Sequence, residues 1–163
     1  MSIYIGLGAN LPGPAGPPRA TLDAALARLA AAGVTVVRRS RWYRSPAWPN
    51  PADPEFVNAV AELDTGFDPG ALMRLLHDVE AALGRTRAAP NAPRAIDLDL
   101  LDYRGAVEGG PVPILPHPRL HQRAFVLLPL AELAPLWRHP VSRRAIKNLI
   151  ADLPAGEAPK PLD

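Results

Sequence analysis

The sequence predicts an α+β domain whose elements follow the order β-α-β-β-α-β, with two further helices after them. Short segments rich in β-branched and aromatic residues indicate the strands. Ala- and Leu-rich segments with apolar residues three and four positions apart indicate the helices. Clusters of Pro and Gly separate them. This order is typical of the ferredoxin-like arrangement, an antiparallel sheet covered by helices on one face.

The predicted elements span most of the chain, and residues 1–163 are expected to form a single domain. The first predicted helix ends at Gly33, and the second begins at Asp68, a favourable N-cap followed by proline, and ends at Gly84. Residues 154–163 are expected to form a flexible tail. Strands are predicted at residues 2–7, 34–43, 56–63 and 96–103, helices at 21–32, 68–84, 125–133 and 142–153, and irregular loops at 12–18, 46–54 and 85–95.

The composition excludes several classes of protein. The chain has no cysteine, which rules out disulfides, thiolate catalysis and cysteine-based zinc sites. A net charge of +2 is too small to favour a nucleic acid as partner. The first residues lack the features of a signal peptide, and no apolar run approaches the ~20 residues of a membrane span. We therefore expect a cytoplasmic protein that contacts neither nucleic acid nor membrane. Nothing in the sequence argues against a monomer, which is the expected state.

Two carboxylates form the strongest chemical signal. Asp97 and Asp99 lie two positions apart on a predicted strand, so their side chains project from the same face about 6–7 Å apart. Hard cations such as Mg²⁺ take oxygen ligands, and two ions can share such carboxylates with phosphate oxygens. A solvated polar face paired with an arginine is the other interpretation. Asp102, an odd number of positions away, is predicted to face the other side.

Basic residues flank this pair. Arg85 and Arg87 begin the loop at 85–95, and Arg94 lies three residues before Asp97. Arginines in such a loop are often only solvated, but beside a dicarboxylate metal site they would bind a polyphosphate. His117 lies between two prolines and begins a second group of side chains, including Arg123, that could donate hydrogen bonds to an anion. The alternative for His117 is an ordinary surface histidine.

The chain lacks the glycine-rich motifs that usually hold nucleotide phosphates. Neither G-x-x-x-x-G-K-[ST] nor G-x-G-x-x-G occurs, so side chains and metal would have to bind them. No serine or cysteine nucleophile with an evident base is present, which favours direct transfer over a covalent intermediate.

Six segments together resemble the 6-hydroxymethyl-7,8-dihydropterin pyrophosphokinase family. The most specific is NAPRAIDLDLL at residues 91–101. The others are YIGLGANL at 4–11, RWYRSP at 41–46, FVNAVAEL at 56–63, EAALGRTR at 80–87 and LPHPRLHQRAFVLLPLAELAP at 115–135. They occur in the family's order and spacing. The resemblance implies a ferredoxin-like fold and transfer of diphosphate from ATP to the hydroxymethyl group of the pterin, a step of folate biosynthesis.

The resemblance also implies the roles of individual residues. Two Mg²⁺ ions would be held by Asp97 and Asp99. The ATP phosphates would be bound by Arg85, Arg94, His117 and Arg123, with Arg87 nearby, and Arg85 and Arg94 would act in catalysis beside the two aspartates. The pterin would stack between Phe56 and Phe125 and hydrogen-bond Asn58, in a pocket completed by Gly8, Ser45 and Pro46. From the residues alone, core packing is the alternative for the two phenylalanines.

The chain departs from the family pattern at two places. Many members have Arg-Trp-Gly-Pro-Arg where this chain has Pro90-Asn91-Ala92-Pro93-Arg94, so a tryptophan and an arginine are missing. Pro118 replaces a tyrosine found in some members. Three other classes share part of the pattern: an RNA-binding ferredoxin-like module, a two-metal phosphodiesterase or nuclease, and a regulatory small-molecule-binding domain.

Overall fold

A computed structural model describes residues 1–47, 50–85, 95–156 and 158–162 of the chain. The strands are β1 (Ile3–Ala9), β2 (Thr35–Arg39), β3 (Tyr43–Ser45), β4 (Phe56–Asp64), β5 (Asp97–Tyr103), β6 (Glu108–Gly109), β7 (Ile114–Leu115) and β8 (Lys160–Pro161). The helices are α1 (Pro18–Ala31), α2 (Pro69–Ala82), α3 (Ala124–Leu133) and α4 (Ile146–Ala151), with a 3₁₀ turn at Leu120–Gln122. In the part of the chain described, no helix has the length and apolarity to cross a membrane.

The main sheet is antiparallel. Its strands lie in the order β5-β1-β4-β3-β8, and β2 also pairs with β4. The remaining strands, β6 and β7, form a separate hairpin. The predicted mixed class with an antiparallel sheet is confirmed, while the narrower ferredoxin-like assignment stays a prediction.

Helices cover both faces of the sheet, not one as predicted. The first face packs against α1 and α2 through a core that includes Leu7, Leu22 and Leu76. The second packs against α3 and α4 through Tyr4, Val60 and residues of both helices. The second layer follows from composition, because α3 is apolar around most of its surface and must be buried on several sides.

Helix boundaries follow their capping residues. Asp68 accepts a hydrogen bond from the Ala71 N–H at 2.8 Å, as an N-cap does, and Pro69 occupies the first helical position. Gly33 and Gly84 follow their helices with φ of 94° and 98°, a conformation that glycine adopts readily. Helix α1 begins at Pro18, inside a predicted loop, because proline fits the first turn of a helix.

The predicted second strand is divided into β2 and β3. Ser40 lies in the break, where its Oγ accepts a hydrogen bond from the Val60 N–H at 3.0 Å and donates one to the Arg41 carbonyl at 2.8 Å. The side chain thus satisfies backbone groups that a continuous strand would pair. The last predicted helix is also shorter, because the His139 Nδ1 accepts bonds from the N–H groups of Val141 and Ser142 and stabilises a turn there.

The C-terminal segment, predicted to be a flexible tail, includes a strand. Strand β8 pairs with β3, and the Leu162 N–H donates to the Trp42 carbonyl at 2.9 Å. These bonds use backbone groups of β3 that would otherwise form an open sheet edge.

A bulge in β5 changes the orientation of Asp102. The pairing of β5 with β1 shifts register between Tyr4 and Ile5, which leaves Leu101 without a direct partner. Leu101, on the same face as Asp97 and Asp99 by alternation, packs with the α3 and α4 core. Asp102 accepts a hydrogen bond from the Trp137 Nε1 in that same layer at 2.8 Å. The prediction that Asp102 faces away from the side of Asp97 and Asp99 is wrong, since strict alternation stops at the bulge.

Candidate active site

A row of cross-strand partners crosses the sheet and brings the predicted metal and pterin residues together. Gly8 of β1 lies opposite Asp97 of β5 on one side and Asn58 of β4 on the other, and Asn58 lies opposite Tyr43 of β3. Direct partners in an antiparallel sheet share a face. Asp97 and Asn58 are therefore two strand spacings, about 10 Å, apart on the same surface.

Glycines on β1 leave the middle of this surface without side chains. Gly6 lies opposite Asp99 and Gly8 opposite Asp97, on the face that Ile5, Leu7 and Ala9 do not occupy. A Cβ at Gly8 would lie 2.7 Å from the Asn58 Nδ2, which is too close for any real contact. A Cβ at Gly6 would meet the Leu101 side chain at an ordinary 3.6 Å. Only glycine therefore fits at position 8 without displacing the Asn58 amide.

A cavity of about 670 Å³ opens beside the two aspartates. One wall is charged and includes Glu80, Arg85 and His117 together with Asp97 and Asp99. A second, mainly apolar part of the lining, the apolar wall, includes Met73, Pro111, Val112, Pro113, Ile114 and Pro118. A cavity with one charged wall and one apolar wall suits a ligand that carries both a flat ring and an anionic group.

Asp97 and Asp99 lie on the same face, as the sequence predicts, while Leu98 and Leu100 point into the core beneath α1 and α2. The Asp99 Oδ2 lies 3.8 Å from the Arg123 Nη1. Burial, and then the negative charge of Asp97, raises the pKa of Asp99 to about 7, although Arg123 opposes the change. Two close carboxylates with one elevated pKa form a site that gains stability from added positive charge.

Arg85 bridges two carboxylates at the charged wall. Its Nη1 lies 2.8 Å from the Glu80 Oε2 and 2.6 Å from the Asp97 Oδ1. Burial opposes the cationic form, but the charges and hydrogen bonds of Glu80 and Asp97 outweigh it and raise the pKa of Arg85. Arg85 is therefore a permanent cation at the entrance to the pair of aspartates.

His117 is held by its backbone and by one ring nitrogen. Its N–H donates to the Leu101 carbonyl at 2.9 Å, and its Nδ1 accepts a bond from the Arg119 N–H at 3.1 Å. Burial, followed by the charge of Arg123, lowers the pKa of His117 to about 4. At neutral pH the ring is uncharged, and because Nδ1 is an acceptor, the proton resides on Nε2.

The contribution of His117 to the stability of the free protein should fall as pH drops from about 6.5 towards 4. In that range the unfolded chain protonates His117 while the folded protein does not, so protons favour the unfolded state. Urea unfolding at pH 7 and pH 5 measures the effect. His117→Gln should lose less stability than the parent over the same range. An equal loss in the two proteins would mean that other groups cause the pH dependence.

The predicted pterin residues form a second group outside the lining of this cavity. The Asn58 Nδ2 lies 3.5 Å from the Leu7 carbonyl, and its Oδ1 accepts a bond from the Ser45 Oγ at 3.4 Å. Ser45 is the cross-strand partner of Phe56, and Pro46 follows it. Phe125 lies in the first turn of α3 and packs, partly buried, against the core of α3 and α4.

Phe125 and the aspartates are linked through Arg123, the N-cap residue of α3. The Arg123 guanidinium lies 5.4 Å from the centre of the Phe125 ring, within the range of a cation–π contact. Its Nη1 also faces Asp99. Of the predicted phosphate-binding arginines, Arg85 and Arg123 therefore reach the aspartates, whereas Arg87 and Arg94 lie outside the described residues.

Sequence reasoning assigned no role to Glu80, which is buried in the cavity wall. A signal was available, because Glu80 lies four residues after Leu76 and three before Leu83, on the apolar stripe of α2. A charged residue in such a stripe indicates a buried partner.

Comparison with known proteins gives a consistent result. The family model described as 7,8-dihydro-6-hydroxymethylpterin-pyrophosphokinase (HPPK) matches residues 4–135. The chain belongs to this family. The residues matched to the HPPK family include every predicted site residue and end before α4 and β8, so the motif resemblance in the sequence is confirmed.

Relatives named 2-amino-4-hydroxy-6-hydroxymethyldihydropteridine pyrophosphokinase are similar over most of the HPPK-family chain. One from Methylorubrum extorquens is 44% identical over 133 residues, 81% of this chain and 82% of the relative. One from Synechocystis sp. is 40% identical over 147 residues, 90% of this chain and 73% of the relative. One from Pseudomonas aeruginosa is 40% identical over 153 residues, 93% of this chain and 91% of the relative.

Proposed function

We propose that this member of the HPPK family transfers a diphosphate group from ATP to the hydroxymethyl group of 6-hydroxymethyl-7,8-dihydropterin, a step of folate biosynthesis. The observation that carries the proposal is the row formed by Asp97, Gly8 and Asn58, which would place the phosphates of one substrate beside the ring of the other. We further propose that it works as a cytoplasmic monomer whose residues 1–163 form one domain, with only these small molecules as substrates.

The donor set at Asp97 and Asp99 fits Mg²⁺. Both offer carboxylate oxygens, the ligands that this cation prefers, in a cleft where like charges already disfavour full ionisation. Within the described ranges no group of three or more His, Asp or Glu side chains is placed to hold a metal. Phosphate oxygens and water would have to complete the coordination, as is usual for Mg²⁺ bound with a nucleotide. When bound there, two Mg²⁺ ions would neutralise charge on the phosphates.

The chain's own residues would position and neutralise the phosphates of ATP. Arg85 and Arg123 supply permanent positive charge on either side of the aspartates, and the uncharged His117 offers an Nε2–H donor to the cavity. Arg87 and Arg94 are proposed to join them, with Arg94 and Arg85 contacting the transferred group. The apolar wall that includes Pro113 would receive the adenine ring.

The pterin would lie over the part of the sheet surface that Gly6 and Gly8 leave without side chains. The Asn58 amide would hydrogen-bond the ring edge, Phe56 and Phe125 would cover the two ring faces, and Ser45 and Pro46 would close the pocket. The hydroxymethyl oxygen would then attack the β-phosphorus in line. The new O–P bond forms as the bond between the β-phosphorus and the oxygen that bridges it to the α-phosphorus breaks. AMP leaves with that oxygen, and the hydroxyl proton is released.

Formation of AMP tests the proposal directly. Purified protein is mixed with ATP, Mg²⁺ and 6-hydroxymethyl-7,8-dihydropterin, and reactions lacking pterin or containing EDTA serve as controls. AMP should form only in the complete mixture. Hydrolysis of ATP or cleavage of DNA without pterin would instead favour a metal-dependent phosphodiesterase, and pterin binding without AMP would favour a regulatory binding domain.

Gly8→Ala should raise the KM for the pterin by about tenfold, since the new methyl group displaces the Asn58 amide and one hydrogen bond to a ligand contributes roughly that factor. The KM for ATP should change little. Gly6→Ala is the matched control, because its methyl group meets only the Leu101 side chain at an ordinary distance. Steady-state kinetics of both variants decide the matter, and equal pterin KM values would exclude this role for Gly8.

A further inference from the structure

Helix α2 places a buried carboxylate in the wall of the active-site cavity. Glu80 is only 5% exposed, and glutamate is almost never buried to this extent without a partner. Burial raises its pKa, while the Leu98 N–H and Arg85 act in the opposite direction. The negative charge of Glu80 therefore depends on its hydrogen bond from the Leu98 N–H and its ion pair with Arg85.

One oxygen of Glu80 contacts both the backbone of β5 and the side chain of Arg85. Its Oε2 accepts a hydrogen bond from the Leu98 N–H at 2.8 Å and one from the Arg85 Nη1 at 2.8 Å. Leu98 is the residue between Asp97 and Asp99, and β5 is the edge strand of the sheet. The same carboxylate thus binds the backbone that carries the two aspartates and the arginine that faces them.

Arg85 would face a conflict when the site is loaded. Its Nη1 lies 2.6 Å from the Asp97 Oδ1, and Asp97 is one of the two proposed metal ligands. An arginine held by Asp97 alone would compete with the metal ion or, being 33% exposed at its side chain, turn towards solvent. Glu80 gives Arg85 a second anchor on the buried side, where a cation at Asp97 and Asp99 does not compete.

We propose that Glu80 is a positioning residue that keeps Arg85 inside the cleft, directed at the nucleotide phosphates, while Asp97 is released to the metal. The proposal rests on the proposed function, because it assumes that a nucleotide occupies this cavity. In this proposal Glu80 acts through Arg85, with which its carboxylate forms an ion pair at 2.8 Å. A purely structural role, in which Glu80 only caps the Leu98 N–H at the sheet edge, makes different predictions.

Glu80→Gln separates the two roles. Glutamine retains an oxygen that can accept from the Leu98 N–H, but it lacks the charge that holds the guanidinium. A positioning role predicts that Glu80→Gln weakens binding of a non-hydrolysable Mg²⁺–ATP analogue by about tenfold, the scale of one charge-assisted hydrogen bond. The thermal midpoint should stay close to that of the parent. A structural role predicts nearly normal binding.

A double-mutant cycle with Arg85→Ala completes the test. If Glu80 acts through Arg85, adding Glu80→Gln to Arg85→Ala should weaken nucleotide binding no further. Glu62→Gln is the matched control, because Glu62 forms a comparable ion pair with Arg38 at 2.6 Å, beside the end of β1 remote from Gly8. That variant should bind the analogue normally. Additive effects of Glu80→Gln and Arg85→Ala, or normal binding by Glu80→Gln, would overturn the proposal.

Calorimetric titration without pterin keeps this result separate from the proposed function. If the parent binds the analogue but forms no AMP with pterin, the proposed transfer reaction fails and the cycle still decides the role of Glu80. If the parent binds no nucleotide at all, both proposals fail.

Discussion

Replacing Asp97 or Asp99 by alanine should lower the rate of AMP formation by about three orders of magnitude while the protein stays folded. Charge stabilisation by a bound cation is worth several kcal/mol of a phosphoryl-transfer barrier, and these two carboxylates are its proposed ligands. Single-turnover kinetics with saturating ATP measure the loss, and circular dichroism checks the fold. Asp102→Asn is the matched control, since Asp102 is on the same strand but bonds Trp137 and the Gly105 N–H.

Asp102→Asn should keep nearly normal turnover because its two hydrogen bonds are to Gly105 and Trp137 and not to residues of the cleft. Asparagine keeps one acceptor oxygen and replaces the other by a donor, so this variant should lose some stability and little activity. Near-normal turnover in Asp97→Ala or Asp99→Ala would contradict the metal assignment. An equal loss in Asp102→Asn would show that any change in β5 disables the enzyme.

The same carboxylates should reduce the stability of the metal-free protein. The folded pKa of Asp99, about 7, lies above the usual value of 3.8, so the folded state binds more protons than the unfolded chain between these values. Stability associated with Asp99 is therefore present at low pH and is lost as pH rises towards 7. In EDTA at pH 8, Asp99→Asn should unfold at a higher urea concentration than the parent although it is inactive. This pattern is expected where function requires strained electrostatics.

Arg123→Ala should weaken the use of both substrates, ATP and the pterin, with a loss of about 100-fold in kcat/KM. The guanidinium faces Asp99 at 3.8 Å and the Phe125 ring at 5.4 Å, so it joins the proposed phosphate and pterin sites. The KM values for both substrates should rise, unlike those of Gly8→Ala, which affects the pterin alone. Arg123→Lys should recover only part of the loss, because lysine keeps the charge but not the planar fork.

Arg138→Ala provides the control for loss of a positive charge, as Arg138 is exposed and its Nη1 bonds the Arg143 carbonyl far from the aspartates in sequence. It should retain normal kinetics. An unchanged pterin KM in Arg123→Ala would limit the role of Arg123 to the nucleotide.

Local patterns in the sequence were sufficient for much of the fold and for the centre of the site. Two-residue alternation placed Asp97 and Asp99 on one face, and Asp68 and Gly84 marked the ends of α2. These features depend on neighbours within a few residues, which is why they can be read from one segment at a time.

Other features depend on distant partners and could not be derived in this way. The orientation of Asp102 requires the register shift against β1, and the break at Ser40 requires a hydrogen bond to Val60. The role of Glu80 requires that α2 and β5 approach each other closely enough for its carboxylate to reach the Leu98 N–H. Each is a contact between segments that the chain brings together only after folding.

The bulge in β5 has a consequence for how this enzyme can change during evolution. Asp97 and Asp99, before the bulge, face the cleft, whereas Leu101, in the bulge, and Asp102, after it, support the layer of α3 and α4. One short strand thus carries two sets of side chains under different selective pressures. With Asp97 and Asp99 as the proposed metal ligands, substitutions in the first set would be exposed to selection for turnover, and those in the second to selection for stability and hence cellular abundance. The two halves can therefore accumulate changes at different rates.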